Sequence, residues 1–511
     1  LYSKKDYILA IDVGTSRIKA GLVNVDNFKI EVEATREAPL IIQKPKWAEV
    51  DLRELWSIIC DLASGIVNGR QVRALVFSGH LAGVVPVDSN CNPLRNLIIW
   101  LDERASGYPR ELFSGLIRFK GYNLLRLLEF LLVTGGAPSK TGKDPISKIL
   151  WIRDNEPDIW NKTFKFLGTN SFLLAKTTGN YVTSPDDASL TWLLDTRNFR
   201  NIWSLRLLRK YGIPIDKLPR IARSIDIAGR IKLEAAKELN IDPNIPVIVG
   251  SGDLTSAAVG SGAISKGELH IYVGTSDWIA GHIRERRVDL SHYIGSIPSA
   301  IPDMYLIIAE QEVAGAALDF IIEKLGLKGE YDTIENLVMI ARPGSQGLIF
   351  TPWLYGERCP IDDPEARGAL IGLSLAHRRE DILRAVMEGV ALNIKWAYTY
   401  IEKIVGFQND IRIIGGGAKS DIWCQIIADS IDRTISRVSD PHHATMRGAA
   451  MIASLAVGRF KSFEEAAARL SIDKVFKPDI ERVNIYNKIF KNYIETYSSL
   501  SKIFKSLANG F

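Results

Sequence analysis

Short apolar runs that end in glycine-rich turns alternate along the chain with longer stretches carrying one apolar face, the pattern of an α/β protein. Residues 7–11 form an apolar run, and after the turn Gly14-Thr15-Ser16 residues 18–23 are a second strand-like run. Two such runs around a tight turn predict a β-hairpin. The arrangement returns at residues 269–273, the turn Gly274-Thr275-Ser276 and residues 278–283. Aligned on their turns, residues 12–21 and 272–281 agree at six of ten positions. A hairpin repeated in matched context predicts two copies of one fold facing each other.

Two further glycine clusters follow apolar runs. Residues 247–262 read as a buried strand, a turn in which Gly250 and Gly252 present Asp253, and a helix of small residues. Gly415, Gly416, Gly417 and Ala418 close the run 411–414 and precede an amphipathic segment at 421–431. Ile382, Val386, Val390, Ile394 and Ala397 share one helical face and predict a core helix, and residues 484–507 predict a terminal helix packed back on the body. Residues 240–246 are polar and proline-bearing, the composition of a linker. The expected division is therefore a first domain at 1–245, a second at 246–475, and a helical segment at 476–511.

Length supports that division, since 511 residues exceed one ordinary core. The balance of 64 basic against 59 acidic residues leaves a net charge of +5, too little over this length for a nucleic-acid footprint. The strongest apolar stretch, 124–133, is interrupted by Arg126 and Glu129, so no membrane span is expected. Cys60, Cys91, Cys359 and Cys424 are scattered without a paired spacing, which fits a cytoplasmic enzyme with reduced thiols. His442-His443 reads as a loop pair with no third metal ligand in its neighbourhood of the sequence. A homodimer is compatible with all of this.

The turns carry the chemistry. Glycine followed by two hydroxyl residues exposes backbone N–H groups and adds hydroxyl donors, so Gly14, Thr15, Ser16 and Gly274, Thr275, Ser276 can grip a polyphosphate from two sides. Asp12 heads the first copy where the second has Tyr272. A carboxylate beside phosphate calls for a cation, which makes Asp12 a candidate Mg²⁺ ligand; the alternative is a strand-end Asp capping its own turn. Asp253 is a candidate base for an attacking hydroxyl, or else the N-cap of the helix it precedes. Gly415, Gly416, Gly417 and Ala418 could admit a flat nucleobase or merely tighten a strand–helix junction.

In this order the motifs resemble those of the FGGY carbohydrate kinases over nearly the whole chain. The two Gly-Thr-Ser turns match that family's phosphate motifs, residues 250–253 the segment of its catalytic base, and residues 413–418 its adenosine motif. Trp100, Asp102 and Arg104 match an element of its sugar site. The resemblance implies two ribonuclease H-like, actin-like ATPase domains with a catalytic cleft between them. It also implies ATP with Mg²⁺, and Asp253 as base. Within the family the chain is most similar to the xylulokinase branch, which implies D-xylulose as acceptor. At residues 78–83 that branch carries Met and His where this chain has Leu81 and Ala82, with its own histidine at His80. Glycerol, erythritol and ribulose therefore stay open as acceptors, as does a sugar-responsive sensor without catalysis. The candidate sugar ligands are His80, Leu81, Asp102, Asp253 and Gln311. His80 could also be a core histidine, and Gln311 part of a surface turn.

Overall fold

The computed structural model describes residues 6–510, with side chains through residue 508. Two mixed sheets organise it. The first contains β1 (Asp6–Val13), β2 (Arg17–Asn24), β3 (Ile30–Glu37), β4 (Gln71–Gly79), β5 (Ile227–Arg230) and β6 (Pro246–Gly252), in the spatial order β5-β6-β4-β1-β2-β3. β1, β2 and β3 form an antiparallel meander, while β4 and β6 run parallel to β1. Parallel neighbours need a crossover. Between β3 and β4 it contains α1 (Leu52–Val67), N-capped by Asp51 and burying Leu55, Trp56, Ile59, Leu62 and Ile66 along one side. α2 (Thr169–Thr178) packs its Phe172, Leu173 and Leu174 into the same core, and α3 (Asp253–Gly260) continues directly from β6.

The second sheet contains β7 (Leu269–Val273), β8 (Asp277–Ile283), β9 (Gly295–Pro298), β10 (Tyr305–Gln311), β11 (Asp410–Ile414), β12 (Thr434–Val438) and β13 (Ile472–Phe476), ordered β9-β10-β8-β7-β11-β12-β13. It repeats the plan of the first, with an antiparallel set, two parallel strands and an antiparallel edge strand, except that β8 pairs with β10 and leaves β9 at the edge. The repeated hairpin of the sequence is the opening hairpin of a duplicated sheet. α4 (Arg379–Val405) and α5 (Asp421–Ile431) cover this sheet, and α6 (Ala444–Ala456) and α7 (Ile480–Gly510) follow. α7 is anchored by two tyrosines. Tyr486 Oη donates to Glu388 at 2.8 Å, and Tyr493 Oη donates to Asn393 Oδ1 at 3.1 Å.

Two features differ from the expected division. Residues 240–246 lead straight into β6, whose buried Val247, Ile248 and Val249 lie inside the first sheet, so a boundary at 245 would cut that sheet. Proline at the first position of a strand costs no interior ladder bond, which reconciles Pro246 with a strand. In addition α6, which follows β12 in sequence, buries Met446, Ala449, Ala450 and Ala453 with Ile8, Ala10 and Val76 of the first sheet. α3 and α6 cross in backbone contact. A Cβ on Gly260 would stand 1.8 Å from the Ala444 carbonyl oxygen, and one on Gly448 1.8 Å from that of Ser256.

Candidate active site

β1 and β2 pair as far as Val13 and Ile18, leaving Gly14, Thr15 and Ser16 as the turn. The Gly14 N–H donates to the Arg17 carbonyl at 2.9 Å. Trp100 Nε1 donates to Thr15 Oγ1 at 2.8 Å and fixes that hydroxyl. β7 and β8 pair as far as Val273 and Asp277 around Gly274, Thr275 and Ser276, with the Gly274 N–H on the Ser276 carbonyl at 2.9 Å. A Cβ at 274 would meet the Tyr272 ring and hydroxyl at 2.4 Å, so any larger residue there would displace Tyr272 from the turn. Tyr272 lies over the turn and stacks on Trp278, centroids 3.8 Å apart and planes 5° from parallel.

β6 delivers Asp253 as the first residue of α3. Gly250 has φ +68°, and a Cβ there would sit 2.6 Å from the Phe77 carbonyl oxygen, so only glycine lets β6 bend against β4. The Gly252 N–H donates to Asp186 Oδ2 at 2.8 Å, and Asn170 Nδ2 donates to the Ser251 carbonyl at 2.9 Å. Asp253 Oδ1 accepts from the Leu254 N–H at 2.9 Å. In register, Asp12 lies beside Ser78 and Ser78 beside Ser251, which brings Asp12 and Asp253 to one end of the sheet. Burial, and then the charge of Asp12, push the Asp253 carboxyl up to about 7. Burial pushes Asp12 up to about 6, with Lys19 opposing. Tyr272 is pushed up to about 12 by burial and then by both carboxylates. One residue of the second half thus shares an electrostatic site with two of the first.

At the end of β11, Gly415 has φ +97° and donates its N–H to the Pro441 carbonyl at 2.9 Å. Cβ atoms on Gly415 and Gly417 would collide with Val273, at 2.4 Å from its carbonyl oxygen and 2.6 Å from its Cγ1. The turn therefore presses on the end of β7, next to Gly274. Gly416 faces open space, with nothing within 4 Å of an added Cβ. Ala418 is buried. The result is a flat shelf beside the second phosphate-type turn.

Residues 7–260 match the N-terminal domain of the FGGY family of carbohydrate kinases, and residues 269–457 match its C-terminal domain. The chain belongs to this family. Family membership makes it a sugar phosphotransferase and implies ATP as donor. It is similar to a xylulose kinase of Staphylococcus epidermidis, with 29% identity over 491 residues, 95% of this chain and 95% of the relative. Among solved structures it resembles a gluconate kinase and a ligand-bound xylulose kinase, both from Lactobacillus acidophilus. Each has a TM-score of 0.88 and 25% identity, over 98% of this chain and 100% of theirs.

Not every expected sugar ligand of this kinase joins the site. Asp102 is fully buried, and its carboxylate accepts from Arg104 Nε at 2.9 Å, Arg104 Nη2 at 2.7 Å and the Ala48 N–H at 2.7 Å. Arg104 is held in turn by Glu49 at 2.7 Å. With the Arg104 N–H also on Oδ1 at 2.9 Å, these partners occupy the carboxylate, and Asp102 braces the loop bearing Trp100. Gln311 is 1% exposed and donates to the carbonyls of Cys359 at 3.1 Å and Asn393 at 2.9 Å. Its amide nitrogen is thus an internal tie, while its Oε1 is buried without a hydrogen-bond partner. The charge of its neighbour Glu310 acts on Asp253, after that of Asp12. Glu310 also pairs with Arg358, which Glu312 binds at 2.8 Å.

His80 and Leu81 do lie against the Asp253 segment. The His80 N–H donates to the Val13 carbonyl at 3.0 Å, and its ring makes only long contacts to Thr169 Oγ1, at 3.4 and 3.5 Å. Burial and then Lys148 push the ring down to about 4, so it is neutral near pH 7. Leu81 packs on Gly252, where an added Cβ would stand 2.2 Å from Leu81 Cδ2. Lys148 Nζ, buried, ties the carbonyls of Ala82 and Ile99 at 2.8 Å each. Asp186, Asn170 and Glu310 were not legible as site residues, because each reaches Asp253 or its strand from a segment distant in sequence.

Among the described residues no helix is long and apolar enough to cross a membrane.

Proposed function

We propose that this kinase transfers the γ-phosphate of Mg·ATP to a terminal hydroxyl of a neutral sugar, D-xylulose giving D-xylulose 5-phosphate, with Asp253 as the base. The observation that carries the reading is the pairing of Asp253 with Asp12 and Tyr272 at the mouth of two facing Gly-Thr-Ser turns, with the Asp253 proton affinity raised to about 7. A base works best with a pKa near the working pH, where it can both be ionised and accept a proton.

Gly14, Thr15, Ser16 and Gly274, Thr275, Ser276 would hold the phosphates through backbone N–H and hydroxyl donors, and the base would lie along the shelf from Gly415 to Ala418. Asp12 suits Mg²⁺: it is a hard oxygen donor, and it faces a second carboxylate whose repulsion a dication relieves. When bound, Mg²⁺ neutralises phosphate charge. Asp253 orients the sugar hydroxyl and accepts its proton as the oxygen attacks phosphorus. Leu81 and the neutral His80 ring exclude water beside Asp253, which limits hydrolysis.

The acceptor's charge is argued from the same site. The charges acting most strongly on Asp253 come from Asp12, Glu310 and Asp186, and all are negative. A sugar acid such as gluconate would be repelled there, whereas a neutral ketose would not. kcat/KM for D-xylulose is expected to exceed that for gluconate at least tenfold, about 1.4 kcal/mol or more. A preference for gluconate in a competition assay would overturn the choice of acceptor class.

Two further results are expected. Because the base acts as a carboxylate, activity is present above its pKa and lost below it. kcat/KM should fall about tenfold per pH unit as the pH drops below about 7. A flat profile down to about pH 5 would remove Asp253 from the proton transfer. Gly416→Leu should leave the melting temperature in place, since its side chain enters open space. It should also raise KM for ATP by roughly tenfold or more through loss of the shelf. An unchanged KM would mean that the base lies elsewhere.

A further inference from the structure

His442 and His443 lie on the loop after β12, the loop whose Pro441 carbonyl holds the Gly415 N–H. Asp440 stands two residues before His442 but does not join the donor cluster; the fold supplies the third ligand from elsewhere. Glu33, on β3 of the first sheet, places Oε2 2.7 Å from His443 Nε2. One donor atom from each of Glu33, His442 and His443 lies within 4.8 Å of the other two. The two imidazole rings are 3.7 Å apart at an angle of 40°. Nδ1 of His442 is buried without a hydrogen-bond partner.

We propose that Glu33, His442 and His443 form a site for a divalent transition-metal ion of the zinc type, tying the first sheet to the loop whose Pro441 carbonyl holds the turn at Gly415. Two imidazole nitrogens and one carboxylate oxygen are a donor set that zinc accepts, with a fourth position left to water. Tetrahedral bonds of about 2.0–2.1 Å require donors about 3.3 Å apart. Rotating side chains can close the present spread, and Glu33, with 46% of its side chain exposed, is free to do so. Lys19 and Lys419 lie close enough to oppose a cation. Mg²⁺ and Ca²⁺, which take oxygen ligands, are disfavoured there, and an ion that bonds imidazole is selected. The site differs from the Mg²⁺ position at Asp12 in both ligands and location.

The test uses the full chain, stripped with a chelator and free of nucleotide, titrated calorimetrically with Zn²⁺, with Co²⁺ absorption as a second readout. The expected result is one Zn²⁺ per chain, a four-coordinate Co²⁺ spectrum, and a melting temperature that rises with Zn²⁺ because the ion binds only the folded state. In His442→Ala and in Glu33→Gln, each checked for an unchanged metal-free melting temperature, affinity should fall by more than the roughly 10- to 100-fold that loss of a ligand's supporting hydrogen bond costs. Absence of stoichiometric binding would overturn the proposal. Equal affinity in the wild type and both variants would do the same, because the ion would then sit on other ligands.

Discussion

Asp253→Asn is expected to lower kcat by roughly 10²- to 10⁴-fold, the usual contribution of a positioned base, while nucleotide binding is retained. Asn keeps the shape of the side chain and an oxygen for the Leu254 N–H, so the start of α3 should stay in place. What is lost is the ability to take a proton. The variant also removes a negative charge from beside the proposed phosphate position, so ATP affinity should hold or tighten. Steady-state kinetics and calorimetric nucleotide binding on the same preparation separate these effects. Normal turnover would exclude Asp253 as base, and loss of nucleotide binding in step with turnover would give it a structural part instead.

Gly448→Val is expected to destabilise the protein by about 3 kcal/mol or more, at or beyond the upper end for overpacked sites. The clash at 1.8 Å is with the backbone oxygen of Ser256, which cannot rotate away as a side-chain end would. Relief requires α3 and α6 to separate. Because α3 opens with Asp253 and α6 packs on the first sheet, separation would also disturb the site. Activity at a temperature where the variant is still folded should therefore fall as well. Denaturant titration measures the stability loss, with Gly416→Ala as the control in which the added methyl meets nothing. Equal stability of the two variants would mean that the helices do not cross in backbone contact.

The duplicated plan was legible because its signal is local: two Gly-Thr-Ser turns between strand-like runs need no knowledge of distant contacts. The bend that puts Asp253 at the start of α3 and the turn at Gly415 were legible for the same reason, each being announced by glycines. Where tertiary contacts decide a side chain's surroundings, the sequence alone was less informative. Gln311 and Glu310 are adjacent on β10, and successive strand residues face opposite ways, so a shift of one position exchanges the internal tie for the residue acting on Asp253. Asp102 matched a sugar-site pattern, yet its side chain turns to Arg104 and the Ala48 N–H. Asp186 reaches the Gly252 N–H from the long insertion between β4 and β5, a contact no periodicity announces. Residues 240–246 have the composition of a linker, and only the pairing of β6 with β4 shows that the strand they lead into belongs to the first sheet.

Phosphoryl transfer from ATP to a sugar competes with the hydrolysis that a closed nucleotide cleft could also perform. Phosphorus NMR of wild-type enzyme with Mg·ATP and D-xylulose follows donor and product together. The expected result is loss of the γ-phosphate signal matched by ADP and by a new phosphomonoester resonance, with little change when sugar is omitted. Inorganic phosphate as the product, formed at the same rate with or without sugar, would contradict it.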